Sequence, residues 1–404
     1  MIWMKNGIFK CALVAIVSAF TITLSAQSDS TRFDRPSLCL MMIAHPEQAF
    51  GKEIEIVFRE MDMPERFNDH SLGVRVVKFP SDDPDKTVDN ILGFANHAQL
   101  AKKMVAKWFS RDKQSGTFST DYLINRGYYN ATKQEVIISQ GTIRGWALLG
   151  DAGEKLLNRT FLVMCDYTYN RAYSSQDNSE NKQKLSNTKL DMDDANAVDE
   201  FNNHLYQRDN RLRNFDITCT SYLFQLQWTD SVANIFYLNH YTETPDPMKG
   251  NAFNHDHTTY ALSYLGSCTD SESVTNENGQ YNNQQLIKKA CIRLRDKNLS
   301  TLQHAHPEFR IKAPLVGVDP IKAYIGRKED VKPGSRYEAL ELQVKKDGTY
   351  DYKRIGVIQP ISDKIWDNRY MATDDIISDL DATYFKKISG GEFYPGLLIR
   401  EIDK

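Results

Sequence analysis

The chain has 404 residues, 25% of them charged and 41% hydrophobic, with a formal net charge of −3. That length suits two or three globular domains, and the composition excludes a disordered chain. The acidic balance argues against nucleic acid as a partner, which asks for a basic stripe.

The N-terminus reads as an export signal. "MIWMKNGIFK" carries Lys5 and Lys10 and no acid, "CALVAIVSAFTITLSA" is an apolar run, and Leu24-Ser25-Ala26 closes it with small residues. This is the order of a secretory signal peptide over 1–26, with Gln27 starting the mature chain. The run is shorter than the roughly 20 apolar residues a bilayer span needs. No cysteine follows the cleavage site to carry a lipid, and no transmembrane span is expected after signal cleavage. Without Lys5 and Lys10, 48 Lys and Arg face 53 Asp and Glu, a net charge of −5. The expected location is exported, periplasmic or outer-membrane-associated.

"SLCLMMIAH" (37–45) predicts a buried strand, and "EIEIVF" (53–58) and "GVRVVKF" (73–79) alternate like further strands. "VDNILGFANHAQLAKKMVAKWF" predicts a helix, since Ile91, Phe94, Ala98, Ala101, Val105 and Trp108 share one face. Thr132 and Glu135 make the S/T-x-x-E pattern of a capping box, opening a second helix to about Leu157. "RTFLVMCDYTY" (159–169) is a long strand. Residues 174–200 are polar and nearly free of aromatics, as a surface excursion would be. "DITCTSYLFQLQW" (216–228), "SVANIFYLNHY" (231–241) and "TTYALSYLG" (258–266) read as strands. A polar loop, "TDSESVTNENGQYNN", precedes a helix whose buried face is Leu286, Ile287, Ala290, Cys291 and Leu294, stopping before Pro307.

From Ala313 the texture changes to short β-type runs between turn residues. Asp347-Gly348 is a hairpin signal. Pro333-Gly334 and Pro395-Gly396 each precede a β-run, with proline presetting φ and glycine supplying the positive φ of a type II turn. Gly326 and Gly356 sit where bent strands need a missing side chain. The charges of "RKED" (327–330) then read as a solvated turn, in preference to a loop that grips a ligand. The predicted organisation is a signal peptide (1–26), an α/β domain (27–312) and a small β-barrel domain (313–404). In fold class this is α+β: an α/β domain with a mixed sheet and flanking helices, then short strands whose spacing suits a small barrel or sandwich.

Five cysteines follow the signal, none in a CxxC pair, which argues against a redox or zinc-ribbon site. A bridge among Cys219, Cys268 and Cys291 stays open. His255-Asp256-His257 would place two imidazoles on one strand face, and His304-Ala305-His306 offers a second pair. Four imidazoles suffice for zinc if the fold gathers them. "DMDDANAVDE" is acidic but lacks the EF-hand glycine. No G-x-S-x-G elbow, P-loop, Rossmann fingerprint or H-E-x-x-H occurs. Tyr122, Tyr128, Tyr129, Tyr167 and Tyr169 read either as a sticky surface or as filling for half-buried sheet faces.

"GTFSTDYLINRGYYNAT", "LLGDAGEKLLNRTFLVMCDY" and "PIKAYIGRKEDVKPGSRYEALEL" together resemble a family of uncharacterised exported proteins of Bacteroidota type. More distantly, the C-terminal pattern, with "IGVI" and a final "PG" strand, is similar to the SH3-like end domain of the periplasmic flagellar assembly protein T. The preceding part resembles the curli-secretion lipoprotein family and the N-terminal domain of TolB. The chain lacks the lipid-bearing cysteine and a pore segment of the curli-secretion pattern. These likenesses imply envelope assembly and protein binding, and they carry no site residue. The expectation is a non-enzymatic exported binding or assembly protein of the bacterial cell envelope, without a cofactor, whose partner is an envelope protein or glycan. The alternative is a metal-dependent hydrolase using His255, His257, His304 and His306.

Overall fold

The computed structural model describes residues 33–79, 87–140, 153, 155–170, 212–276, 279–344, 350–372 and 379–402. The signal segment 1–26, the polar stretch 174–200 with its acidic run, most of the predicted helix beyond Gln140, and Asp347-Gly348 lie outside the described residues. No helix among those described is long and apolar enough to cross a membrane.

β1 (Ser37–Ile43) is buried along its whole length. Its alternate residues divide between two cores: Leu38, Leu40 and Met42 face one, and Cys39, Met41 and Ile43 the other. A strand covered on both faces has no polar side, so the sequence there is a continuous apolar run. β4 (Thr160–Tyr169) pairs with β1 in parallel, Ser37 opposite Thr160 and Ile43 opposite Asp166. β5 (Asn214–Leu226) and β6 (Leu262–Thr275) follow antiparallel. Two short parallel partners, β2 (Asn68–Asp69) and β3 (Val76–Val77), also pair with β1. The order is β2-β1-β4-β5-β6.

Helices cover both faces. The described α-helices are α1 (Gly51–Glu60), α2 (Thr87–His97), α3 (Leu100–Trp108), α4 (Asp121–Asn130), α5 (Lys133–Gln140), α6 (Asp230–Ile235), α7 (Pro247–His255) and α8 (Asn283–Ala305). α1 and α8 supply Ile54, Phe58, Leu286 and Leu294 to one core, and α2, α3 and α7 supply Ile91, Trp108 and Phe253 to the other.

Four expectations need correction. "EIEIVF" is not a strand but the middle of α1. Ile54, Val57 and Phe58 sit three and four residues apart and are buried, while Ile56 is 49% exposed; the helical face won because it packs between the sheet and α8. "SVANIFYLNHY" forms α6 and a π-helical turn over Phe236–His240. Thr229 caps α6 by accepting from Val232 N at 3.3 Å, and Phe236 enters an aromatic cluster with Phe109 at 4.4 Å. Aromatic β-type composition was here serving a helical core. The single long helix is two, broken where Gln99 turns left-handed at φ 53°. Finally, β6 runs on through "TDSESVT". A strand with one wet face tolerates polar residues, and hydroxyl pairs such as Thr220–Thr269 at 2.9 Å line it. The capping box at Thr132 and Glu135 is present, with distances of 2.7 and 3.3 Å.

The C-terminal strands are β7 (Ala313–Val318), β8 (Ile321–Ala323), β9 (Tyr337–Val344), β10 (Tyr350–Pro360), β11 (Thr383–Gly390) and β12 (Leu398–Glu401). They close into an antiparallel barrel in the order β10-β11-β8-β7-β12-β9. Leu315, Ile358, Leu397 and Ile399 fill it. Both Pro-Gly corners have the left-handed glycine the turn needs, φ 90° at Gly334 and 97° at Gly396. The protein is thus α+β, a mixed sheet with helices on both faces followed by a small barrel.

α5 fastens one to the other. Buried Gln134 donates to the carbonyls of Leu340 and Gly396, both at 3.2 Å, and accepts from Leu342 N at 2.5 Å. Gln134→Ala removes the amide that serves three barrel backbone groups at once. The expected cost is about 2 kcal/mol, measured by denaturant unfolding; an unchanged midpoint would mean these bonds hold nothing.

Candidate functional site

The site grows from α8. Asn282 and Gln285 form a reciprocal capping box, with Asn282 Oδ1 accepting from Gln285 N at 2.8 Å and Gln285 Oε1 from Asn282 N at 3.0 Å. The predicted apolar face of this helix is buried as expected. So are Lys289, Arg293, Arg295 and Asp296, and buried charges require partners. Lys289 donates to the Tyr281 hydroxyl at 3.0 Å. Arg293 donates to the carbonyls of Tyr370 and Met371 at 2.9 and 3.0 Å. Arg295 forks onto Asp296 Oδ1 at 3.1 and 2.9 Å and donates to Asp62 O at 2.7 Å. The polar stripe of α8 therefore joins the sheet layer to the barrel.

The barrel answers with the segment 326–334. Arg327–Glu329 make one turn of 3₁₀ helix, and Asp330 follows left-handed at φ 58°. The turn lies against 366–368 so closely that a Cβ on Gly326 would stand 2.2 Å from Trp366 O; only glycine fits. Gly326 is thus a close-approach position rather than a strand bend. Glu329 Oε2 accepts from Gly326 N at 2.8 Å and from Asn368 Nδ2 at 2.7 Å. Its Oε1 accepts from buried Arg66 at 2.9 Å, and Arg66 also donates to Lys328 O and Asp296 O. This corrects the reading of "RKED" as a solvated turn at Glu329, while Arg327 stays half in solvent. Glu329 is largely buried, and the turn is docked on the first part of the chain through a residue 263 positions away.

Between α8 and this turn lies a cleft of about 400 Å³. Its lining includes Glu272 from β6, Arg293, Asp296 and Lys297 from α8, residues 327–328 and 330–333, and Ser362, Ile365, Arg369 and Tyr370. Arg293, Lys297, Arg327, Lys328, Lys332 and Arg369 face three carboxylates there, so cations predominate in an otherwise acidic chain. Two carboxylates, Asp296 in the lining and Asp367 beside the lining residue Arg369, are engaged by arginines. Asp296 is held by Arg295, with Lys328 at 3.8 Å. Asp367 accepts from Arg369 at 2.8 and 2.6 Å. Burial opposes ionisation of Asp367, but the hydrogen bonds and charge of Arg369 prevail and hold its carboxyl below the usual range.

The four candidate imidazoles are not gathered. His255 ends α7, exposed, with Nδ1 at 2.9 Å from Asn251 O. His257 is exposed just beyond it. His304, in the last turn of α8, stands 2.8 Å from Glu401 and 3.7 Å from Asp330. His306 packs against Gly266. His255 and His304 stand in the last turns of α7 and α8 and His257 and His306 just beyond, so the expected strand under His255 and His257 is absent and the two-residue spacing puts neither pair on one strand face. Among the described residues no group of three or more His, Cys, Asp or Glu could hold a metal ion. The five cysteines are free thiols, and no bridge joins Cys219, Cys268 and Cys291. Tyr167 is buried, Tyr169 stacks on Phe215 at 5.1 Å, and Tyr129 alone of the five tyrosines is exposed.

Sequence reading missed Arg66, Asn368 and the α8 charges; the only local hint was Arg293 and Asp296 interrupting an apolar helix face. No protein-family model matches the chain, and no curated protein sequence matches it. Fold and site define an α+β protein with a cationic cleft where its barrel meets the longest of its described helices.

Proposed function

We propose that this chain is an exported binding or assembly protein of the bacterial cell envelope, that it performs no covalent chemistry, and that the junction cleft receives its partner, an envelope protein or glycan. The export reading rests on the N-terminal signal pattern. The cleft carries the rest. Buried ion pairs set its walls, and its mouth offers Lys and Arg ends, groups that grip a ligand by charge and hydrogen bonding. A site framed by two packed layers can hold such ends in register for a partner.

The test is photo-crosslinking in intact cells. A photoreactive residue replaces Lys332 at the cleft or, as a control, Met248 on α7, which is exposed. A discrete product from position 332 and none from 248 is expected. Products from neither, or equally from both, would sink the reading.

A further inference from the structure

Around the cleft three cationic ends are exposed, unlike the buried Arg293 and Asp296 of its lining. Arg327, Lys332 and Lys297 keep 50%, 66% and 47% of their side chains in solvent. Each has an acidic neighbour, at 3.8 Å (Asp367), 2.6 Å (Asp330) and 3.4 Å (Asp270), and Lys297 also donates to Ser271 O at 3.1 Å. Asp367 is already satisfied by the Arg369 fork, so Arg327 stands at long range from a carboxylate engaged elsewhere. Exposed ion pairs of this kind are worth little and exchange readily for a better acceptor. The volume of about 400 Å³ lies in the small-ligand range. Val331, Pro333 and Ile365 add a small apolar wall, with Tyr370 beside them.

From this we infer that the cleft binds an oxyanion, a phosphate or carboxylate group carried by a small molecule or by one or two sugar units. Arg327 and Lys332 grip it from the barrel side and Lys297 from α8. The inference rests on the binding reading above and names the chemistry of its ligand. A guanidinium presents paired donors that match two oxygens of such a group, and the ammonium ends add charge without fixed geometry.

Calorimetric titration of the mature chain tests it, at about 20 mM ionic strength where screening is weak. The probes are inorganic phosphate, glucose 1-phosphate, citrate and galacturonate, which separate the phosphate from the carboxylate source. Saturable binding of at least one is expected. It should weaken about tenfold in the Arg327→Gln, Lys332→Gln double variant and fall again at about 200 mM salt. Lys353→Gln, exposed on β10, should change nothing. All three target residues are solvent-exposed, so thermal unfolding should match the parent; if the double variant unfolds, Lys297→Gln alone serves. No saturable binding of any probe, or binding that the variants retain, overturns the inference. Cellular crosslinks without anion binding would overturn the ligand chemistry alone. Anion binding without crosslinks would overturn the envelope partner and keep the site.

Discussion

Arg66→Ala is expected to destabilise the protein by about 3–5 kcal/mol, because it strands a buried charge rather than merely deleting a contact. The Arg66 side chain is 3% exposed and that of Glu329 14%. One guanidinium serves Glu329 Oε1, Lys328 O and Asp296 O, and so ties β-barrel, α8 and the segment before β2 at a single point. The ring of Phe67 lies beneath it at 5.7 Å. After truncation the carboxylate keeps only Gly326 N and Asn368 Nδ2. An Arg66→Met, Glu329→Gln double variant should lose less than Arg66→Ala, since it removes both charges together. Denaturant unfolding of the three proteins checks this. A loss below about 1 kcal/mol for Arg66→Ala would show that the turn is held by other groups. The same variant should loosen the cleft, so any anion affinity should fall with it.

His70 sets an acid limit. Its ring stacks on Trp108 at 4.9 Å, and Nε2 lies 3.1 Å from Met104 O, which requires a proton on that nitrogen. Burial, with Lys107 adding to it, pushes the imidazole down to about 3 from its ordinary 6.5. The unfolded chain therefore binds a proton near pH 6.5 that the folded one refuses. Stability from this group is complete above pH 6.5 and drains as pH falls from there toward 3. At pH 4 the loss should be on the order of 3 kcal/mol. His70→Gln keeps a neutral donor and should lose that much less than the parent between pH 7 and 4. Parallel stability–pH curves for the two would refute the assignment. Asp34 acts in the opposite sense of charge: burial is outweighed by Arg159 and Lys312, which hold its carboxyl far below the usual range. It pins the first described residues to the start of the barrel.

How much was legible depends on the range of the force involved. β1 and β4 were readable because an apolar run buried on both faces has few alternatives, and β5 because its residues alternate between buried and half-buried. The Pro-Gly corners were readable because φ is a property of the residue itself. α1 and the Phe236 turn were misread. Their short windows fit both a two-residue and a 3.6-residue period, and the neighbour that decided between them lies far off in the chain. The barrel was visible as texture, yet its closure by β12 against β7 and β9 was not. The cleft was half-visible: the charges of 327–330 stood out, but with the wrong role, because their partners Arg66 and Asn368 carry no local signature.

The sequence by itself determined an α+β chain, apolar strands, a helix that stops before Pro307 and two glycine-led corners, all consequences of local sterics and periodicity. Tertiary structure alone decided which charges are buried, that four histidines stand apart and that a cationic cleft opens at the junction. Charge pairing acts across space, and no spacing rule along the chain encodes a contact between residues 66 and 329.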